Sequence, residues 1–509
     1  MSAINLANAE KGLPHMNLAD EHLKELDDPL PTADERAILR CRVAAELTHA
    51  GQYEAAREEL GELWRGVGER PNVEGFGELA AAEVLLQVGA LSGWIGASRQ
   101  ESGAQEAAKD LLSESASLFE RLGETTRAAA SHSDLALCYW REGAYDEARV
   151  LLTRAFEEST GADAEQRAKV VLRLVTVECA AGRYHDSFTV LRDYAHLFDE
   201  QIGHAFRGSF HSHLAVVLKQ LGAAESRPDY LDRAIIEYTE AIHHYEQARH
   251  QRYVANNENN LANLLRKMGR YQEAHEHLDR AGMILVGLKD AGLLTYVDET
   301  RARLLIDESQ YREAGRVIAR SIQTLERGGA AALLADALTT QGVVWARLGD
   351  NERSINVLRR AVSIAEEAGA LSNAGQAALT LVEEHGTRRA LPPAELYDLY
   401  QRADEMLKDA QDAGTVARLR ACARVVMRRL AGDQLGDKNF TIFGAVHDFE
   451  ARLIGKALEE TGGSVTRAAR LLGVRHQSLL AMLNARHHKL LEKRRPQGKR
   501  LRSIIKKTG

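Results

Sequence analysis

The residues best suited to binding chemistry crowd the C-terminus. Between Arg486 and Gly509 lie ten basic residues and one acid, among them Arg486, Lys489, Arg494, Arg495, Arg500 and Arg502. Cations at that density neutralise phosphate oxygens, and each phosphate so neutralised steepens the salt dependence of binding by ~0.9 in log–log slope. Just ahead runs GGSVTRAARLLGVRHQSLLAMLNARHHK, Gly462 to Lys489, where two short helical patterns meet at Leu-Gly-Val. That is the spacing of a DNA-reading helix-turn-helix. The second helix, however, reads SLLAML where such readers usually carry Arg and Lys.

A second polar group lies mid-chain in VANNENNLANLLRKMG. Asn256, Asn259 and Asn263 line one helical stripe, with Arg266 and Lys267 at its end. An Asn amide both donates to and accepts from a peptide backbone, and Arg or Lys holds a carboxylate. The stripe is either a binding surface for an extended peptide or the solvated face that any helical array must have.

Other chemistry is missing from the sequence. There is no G-x-x-x-x-G-K-[ST], no H-E-x-x-H and no G-x-S-x-G, so P-loop, zincin and hydrolase-elbow sites are not expected. His275 and His277 flank Glu276, but helix positions i and i+2 point apart and do not share one ion. The pairs His211/His213 and His243/His244 read as surface histidines on the same argument. No metal, cofactor or enzymatic activity is expected, because a catalytic site would have to be assembled across distant segments.

The elements that position these groups are helical. The chain has 509 residues, 45% hydrophobic and 27% charged, with only 8 Pro and 6% aromatics. Ala, Leu, Glu and Arg, all strong helix formers, dominate. A length of 509 exceeds one compact core and implies several domains or a repeat array. From Leu435 to the end, 16 Lys and Arg stand against 6 Asp and Glu, a balance of +10. The total of −7 therefore leaves −17 on residues 1–434. An acidic body with a basic terminus suggests a polyanion partner at that end alone. Cys41, Cys138, Cys179 and Cys422 lie far apart inside apolar helical patterns and read as small core residues in a reducing, cytoplasmic setting. No secretory leader pattern begins the chain. The most apolar stretch, Leu79 to Ser98, contains Glu83 and several glycines. It reads as a buried helix, so no membrane contact is expected.

A turn of the form Gly-x-Tyr-x-Glu-Ala recurs as GQYEAA at Gly51, GAYDEA at Gly143, GRYHDS at Gly182, GRYQEA at Gly269, SQYREA at Ser309 and GDNERS at Gly349. Each follows one apolar helical pattern and precedes another. Leu135, Ala136 and Tyr139 share a face before the Gly143 turn; Ala148, Leu152 and Ala155 share the facing one after it. Glycine at the turn takes a positive φ and ends the first helix. This grammar resembles the tetratricopeptide repeat. The resemblance implies an all-α fold, an α-solenoid of about nine tetratricopeptide-like helix pairs over residues 33–430, with helices longer than usual because the period is near forty. It also implies that the first helix of each pair turns its polar stripe inward toward a peptide or protein ligand, which places Asn256, Asn259, Asn263, Arg266 and Lys267 in the groove. An N-terminal segment, 1–32, is expected to be partly flexible.

After the repeats, AGDQLGDKN reads as a linker, 431–439. Val446, Phe449, Leu453, Ile454 and Leu458 recur at helical spacing in one long helix ending at Gly462-Gly463. Ser464 is a good N-cap for VTRAARLL. Gly473 closes that helix, Val474 tucks into the turn, and a third helix runs from about Arg475 to Ala485. The motif T-G-G-S-x-T-R-A-A-R-L-L-G-V resembles the C-terminal DNA-binding domain of the Fis family. The resemblance implies a helix-turn-helix over 440–490, a basic tail over 491–509, and a bacterial homodimer that binds DNA. It carries the phosphate and base contacts onto Ser464, Thr466, Arg475, His476 and Ser478; Gln477 could read adenine if it points inward. The family's further basic positions fall on Leu480, Ala481 and Met482. Either these touch thymine methyls while the tail neutralises phosphate, or the helix has become a protein contact. The expected function is a DNA-binding transcriptional regulator whose solenoid binds a peptide or protein. The alternative is an interaction scaffold that holds nucleic acid loosely through its tail.

Overall fold

The computed structural model describes residues 32–49, 53–99, 103–328, 330–388, 390–408, 410, 413–430 and 441–493. Among these residues there is no strand, and 22 α-helices follow one another. In chain order they are α1 (Ala33–His49), α2 (Tyr53–Leu60), α3 (Glu78–Arg99), α4 (Ala104–Leu122), α5 (Thr125–Arg141), α6 (Tyr145–Glu158), α7 (Ala164–Ala180) and α8 (Tyr184–Asp193). Then come α9 (His204–Glu225), α10 (Pro228–Gln247), α11 (Gln251–Lys267), α12 (Tyr271–Gly287), α13 (Ala291–Asp307), α14 (Tyr311–Gly328), α15 (Ala331–Leu348) and α16 (Asn351–Glu367). The last are α17 (Leu371–His385), α18 (Pro393–Met406), α19 (Ala413–Leu430), α20 (Ile442–Glu460), α21 (Val465–Leu471) and α22 (His476–Ala485). Helices α1 to α16 form eight successive pairs of a tetratricopeptide-like α-solenoid. Two compact units divide the chain: Met1–Ala377 with Met406–Ala417, and Ala378–Glu405 with Arg418–Gly509.

The repeated turn has a local cause at every position. Gly143, Gly182, Gly269 and Gly349 all take positive φ, between 73° and 88°. The residue after each glycine donates its N–H back into the first helix, as Ala144 does to the Tyr139 carbonyl and Arg270 to that of Leu265. This closes carbonyls the helix end would leave unpaired. The tyrosine begins the second helix in α2, α6, α8, α12 and α14. The acid two positions later sits in the first turn, where it meets the positive end of the helix dipole. The alanine that follows is fully buried at Ala148, Ala274 and Ala314.

Packing between paired helices rests on small residues facing leucines. Leu152, Leu278 and Leu358 on second helices are enclosed, each burial contributing about 1.5–3 kcal/mol. Opposite Leu358 stands Gly342, where an added Cβ would lie 2.4 Å from the leucine Cγ. At the fifth pair the turn shifts. Helix α9 runs on through Gly222 and stops at Ser226, with φ 56°, which absorbs the extra residues before DYLDRA. Helix α3 is long and apolar enough to cross a membrane, but 67% of its most apolar window is buried. Val84, Leu85, Val88 and Leu91 pack with Ala37 and Leu60, while Ala82 and Leu86 pack with Leu112. Cys41, Cys138 and Cys422 are buried, and Cys179 is half-buried.

Candidate functional site

In the C-terminal segment the core is small and specific. Ile454, Ala457 and Leu458 of α20 meet Val465, Ala468 and Ala469 of α21 and Leu479 and Leu483 of α22. Gly462 and Gly463 end α20 with φ 61° and 77°. Ser464 caps α21 by accepting from the Arg467 N–H at 3.5 Å. Gly473, φ 65°, opens the turn, and Arg475 takes extended backbone as the N-cap of α22. Thr466, Arg475, His476, Gln477 and Ser478 are all exposed, and Ser464 is half-buried. Four consecutive polar side chains therefore crowd the start of α22, beside its free N–H groups, an arrangement that suits phosphate oxygens and base edges.

The SLLAML question resolves by burial. Leu479 and Leu483 are core, Met482 packs against the same cluster, and Leu480 is half-buried. Of this run only Ser478 and Ala481 are exposed, so most of its apolar surface serves the core rather than a DNA contact. The long helix is present as α20, and its Phe449, Leu453 and Phe443, the last at 85%, are exposed. One expectation for the turn needs correction. Val474 is 37% exposed and does not tuck in; only its N–H is engaged, to the Ala469 carbonyl.

Arg486 and Lys489 are exposed. Arg486 also lies 3.5 Å from the Glu450 carboxylate. The same carboxylate holds the buried His487 at 3.0 Å, and His447 Nε2 donates to the Arg486 carbonyl at 2.7 Å. This latch ties α20 to the segment after α22; the sequence reading did not single it out, because its members are 36 to 39 positions apart. Arg494, Arg495, Arg500 and Arg502, the 1–32 segment except Thr32, and the 431–439 linker lie outside the described residues.

The mid-chain stripe lies on α11, which packs beside α13, as α13 does beside α15. Asn256 and Asn263 are half-buried, and Asn259 is 4% exposed with an Oδ1 that has no hydrogen-bond partner. Arg266 donates to Asn263 Oδ1 at 3.2–3.3 Å and pairs with Asp307 on α13. A ligand carboxylate at Arg266 would therefore compete with Asp307. Lys267 is exposed.

Sequence reasoning missed the matching row on α13, α15 and α17. Tyr296, Glu299 and Arg303 recur on α13 one repeat after Asn256, Asn259 and Asn263. Glu299 pairs with Arg303 and accepts from Thr340 at 3.3 Å. Asp336 accepts from Asn373 Nδ2 at 2.8 Å. Burial, then the neighbouring Glu299 charge, pushes the Asp336 carboxyl up to about 6. The Tyr296 hydroxyl is enclosed without a partner.

The histidines are less exposed than expected. His275 and His277 do turn apart, to Glu308 and Glu258. His211, by contrast, is half-buried against Glu237. His213 is half-buried between the Ser209 carbonyl and Thr176. His244 is buried, 2.9 Å from His204; burial and the positive charge of Arg207 pull it down to about 4. The signal was available, since α10 places His244 beside core Ala241 and Tyr245. His132 meets Glu158 at 2.8 Å and Glu120 at 3.4 Å, a grouping of the kind that can hold a metal ion. Arg154 bridges both carboxylates, at 2.7 and 2.6 Å, and offsets half of their charge.

The fold and these geometries define the class: a tetratricopeptide-like α-solenoid with a C-terminal helix-turn-helix of the Fis type. Residues 445–480 match the family model described as bacterial regulatory protein, Fis family. No curated protein matches the chain by sequence. Among solved structures, the apo quorum sensor NprR from B. thuringiensis is similar at 13% identity and TM-score 0.49, covering 68% of this chain and 92% of that one. Aspartyl phosphate phosphatase F from Bacillus subtilis is similar at 12% identity and TM-score 0.46, covering 68% and 88%. Yeast Tom70 is similar at 12% identity and TM-score 0.45, covering 82% and 87%.

Proposed function

We propose that the chain is a bacterial, cytoplasmic transcriptional regulator. Its solenoid, 33–430, binds a peptide or protein along the first helices, and its helix-turn-helix, 440–490, binds DNA with help from the 491–509 tail. The carrying observation is the run Arg475, His476, Gln477 and Ser478, exposed at the start of α22 on an intact, capped helix-turn-helix core. A guanidinium there suits bidentate bonding to guanine, and an amide suits adenine. The polar stripe of Asn256, Asn259 and Asn263 supports the peptide reading, since amides pair with backbone in both directions.

A homodimer fits the same reading. Phe443, Phe449 and Leu453 are exposed on α20, with half-buried Val446 between them at helical spacing. Such a stripe stays in water unless another surface covers it, and a second copy also supplies the second half-site. Full-length chain, titrated against a random pool of short duplexes at two salt concentrations, tests the proposal. Enrichment of one motif, lost in Arg475→Ala, supports a sequence reader. Binding that enriches nothing would leave a scaffold with loose nucleic-acid affinity. Sedimentation of Phe449→Ser/Leu453→Ser should show dissociation to monomer; an unchanged mass in that variant would remove the dimer.

A further inference from the structure

The inner row of α11, α13 and α15 has a surplus of hydrogen-bond acceptors. Asp336 has one donor, Asn373, and no arginine or lysine in salt-bridge contact; Glu299 has Arg303 and Thr340. Asn259, nine-tenths buried and more, keeps a bare Oδ1. It shares its face of α11 with Asn263, through which Arg266 crosses to Asp307 of α13. That face therefore fronts the Tyr296–Glu299–Arg303 face. The Tyr296 oxygen is enclosed there without a partner as well. A buried acceptor left without a donor costs about 1–3 kcal/mol. The row carries two such atoms: Tyr296 feels the charges of both Asp336 and Glu299, the Glu299 charge helps to raise Asp336, and Asn259 holds the Glu299 position one repeat earlier. A donor-rich cation relieves all of these at once.

We infer that the solenoid's ligand is a peptide bearing a cationic group, an ammonium or guanidinium, that seats between Asp336 and Glu299, with Asn259 and Tyr296 taking its remaining N–H donors. This rests on the peptide-binding reading given above and deepens it. An ammonium offers three donors and a guanidinium five, all without acceptors, which matches a site that offers acceptors. Charge-assisted bonds of this kind are about twice as strong as neutral ones. The charged groups facing the seat are Glu299, Asp336, Arg303, Arg266 and Asp307. Arg303 is ion-paired with Glu299 and reaches Asp336 only through its field, so Asp336 is the carboxylate left for the ligand to pair.

The test uses the immobilised full chain and synthetic heptapeptide pools, random except for one fixed central residue: Arg, Lys, norleucine or Glu. Each pool is made with free and with acetylated amino termini, and retained peptide is measured by mass spectrometry. The expected result is retention of the Arg or Lys pool about tenfold above norleucine. If retention instead follows the free amino terminus, the α-ammonium is the group seated and the inference stands. Asp336→Asn should lower retention of the Arg and Lys pools to that of the norleucine pool. Glu299→Gln, with thermal unfolding of both variants, guards against mere misfolding. Cationic retention should also rise from pH 5 to pH 7, as Asp336 loses its proton. Retention that is equal across pools, or a preference that survives both substitutions, overturns the inference and leaves peptide binding intact. No retention from any pool overturns peptide binding itself, and the inference with it.

Discussion

Ser309 and Gly349 hold the same place in successive repeats, and both backbones are left-handed, φ 62° and 88°. Each ends a first helix, and the next residue donates back across the turn, Gln310 to Leu305 and Asp350 to Trp345. Glycine adopts this conformation freely, whereas a side chain there costs roughly 1–2 kcal/mol. Part of that gain is returned through the looser unfolded chain. Ser309→Gly should therefore stabilise by ~0.5–1 kcal/mol. Gly349→Ser should cost a comparable amount. Denaturant midpoints measure both, and a lower midpoint for Ser309→Gly would mean that Tyr311, whose hydroxyl reaches Ser309 at 3.3 Å, outweighs the strain.

Gly342 faces Leu358, and Ala262 and Leu278 hold the same two places two pairs earlier. The turn glycines, Gly269 and Gly349, mark the common register, yet Gly342 has no room for a Cβ: the leucine carbons lie at 2.4 and 2.6 Å. Its carbonyl also accepts from the buried Ser354 hydroxyl at 2.7 Å. Gly342→Ala should destabilise by ~1–3 kcal/mol through overpacking. Leu358→Ala alone should cost about 2–5 kcal/mol, and the double variant should lose less than the two singles summed, because the smaller side chain makes room. A double variant no better than the sum of the singles would show that the two residues do not share one contact.

Acid should weaken the solenoid through its buried histidines. Burial lowers His213, His244, His250 and His385, the second and last to about 4. The unfolded chain titrates near 6.5, so between about 6.5 and 4 it takes up protons that the folded chain refuses, and stability falls as pH falls. Asp336 has the opposite sign. Its folded carboxyl, raised to about 6, holds a proton that the unfolded one has released, so it adds stability as pH falls through 6. Melting midpoints from pH 7.5 to 5 should drop less steeply in His244→Asn and more steeply in Asp336→Asn. Equal slopes in all three proteins would refute both assignments.

What could be read in sequence was what one helical turn decides. The Gly-x-Tyr-x-Glu-Ala grammar sets a positive φ, a helix start, a dipole partner and a buried alanine within six residues, so each pair is locally specified. Ala468, Ala469, Leu479 and Leu483 were legible for the same reason. Phe449 and Leu453 were not, because periodicity marks an apolar face without saying what covers it. Met482 reads as part of an exposed helix until the core that receives it is known. The acceptor row stayed hidden for a further reason. Glu299, Asp336 and Asn373 come from three helices, some 37 residues apart along the chain, and meet only through the stacking of repeats.

At the helix-turn-helix, base reading and phosphate binding should separate. Arg475 and Lys489 are both exposed cations, but Arg475 caps the start of α22 while Lys489 lies beyond its end. Arg475→Ala should reduce affinity for the enriched duplex by ~1–3 kcal/mol and leave random-duplex affinity nearly unchanged. Lys489→Ala should weaken both alike and lower the log–log salt slope by about 0.9. The side chains at Glu450 and His487, 3.0 Å apart, hold the segment that carries Lys489 against α20. His487→Ala should accordingly resemble Lys489→Ala in DNA binding and, in addition, lower the melting midpoint. The comparison is decisive when all three variants are titrated on one enriched and one random duplex. Loss of sequence preference in Lys489→Ala, with preference retained in Arg475→Ala, would reverse the roles argued for the two cations.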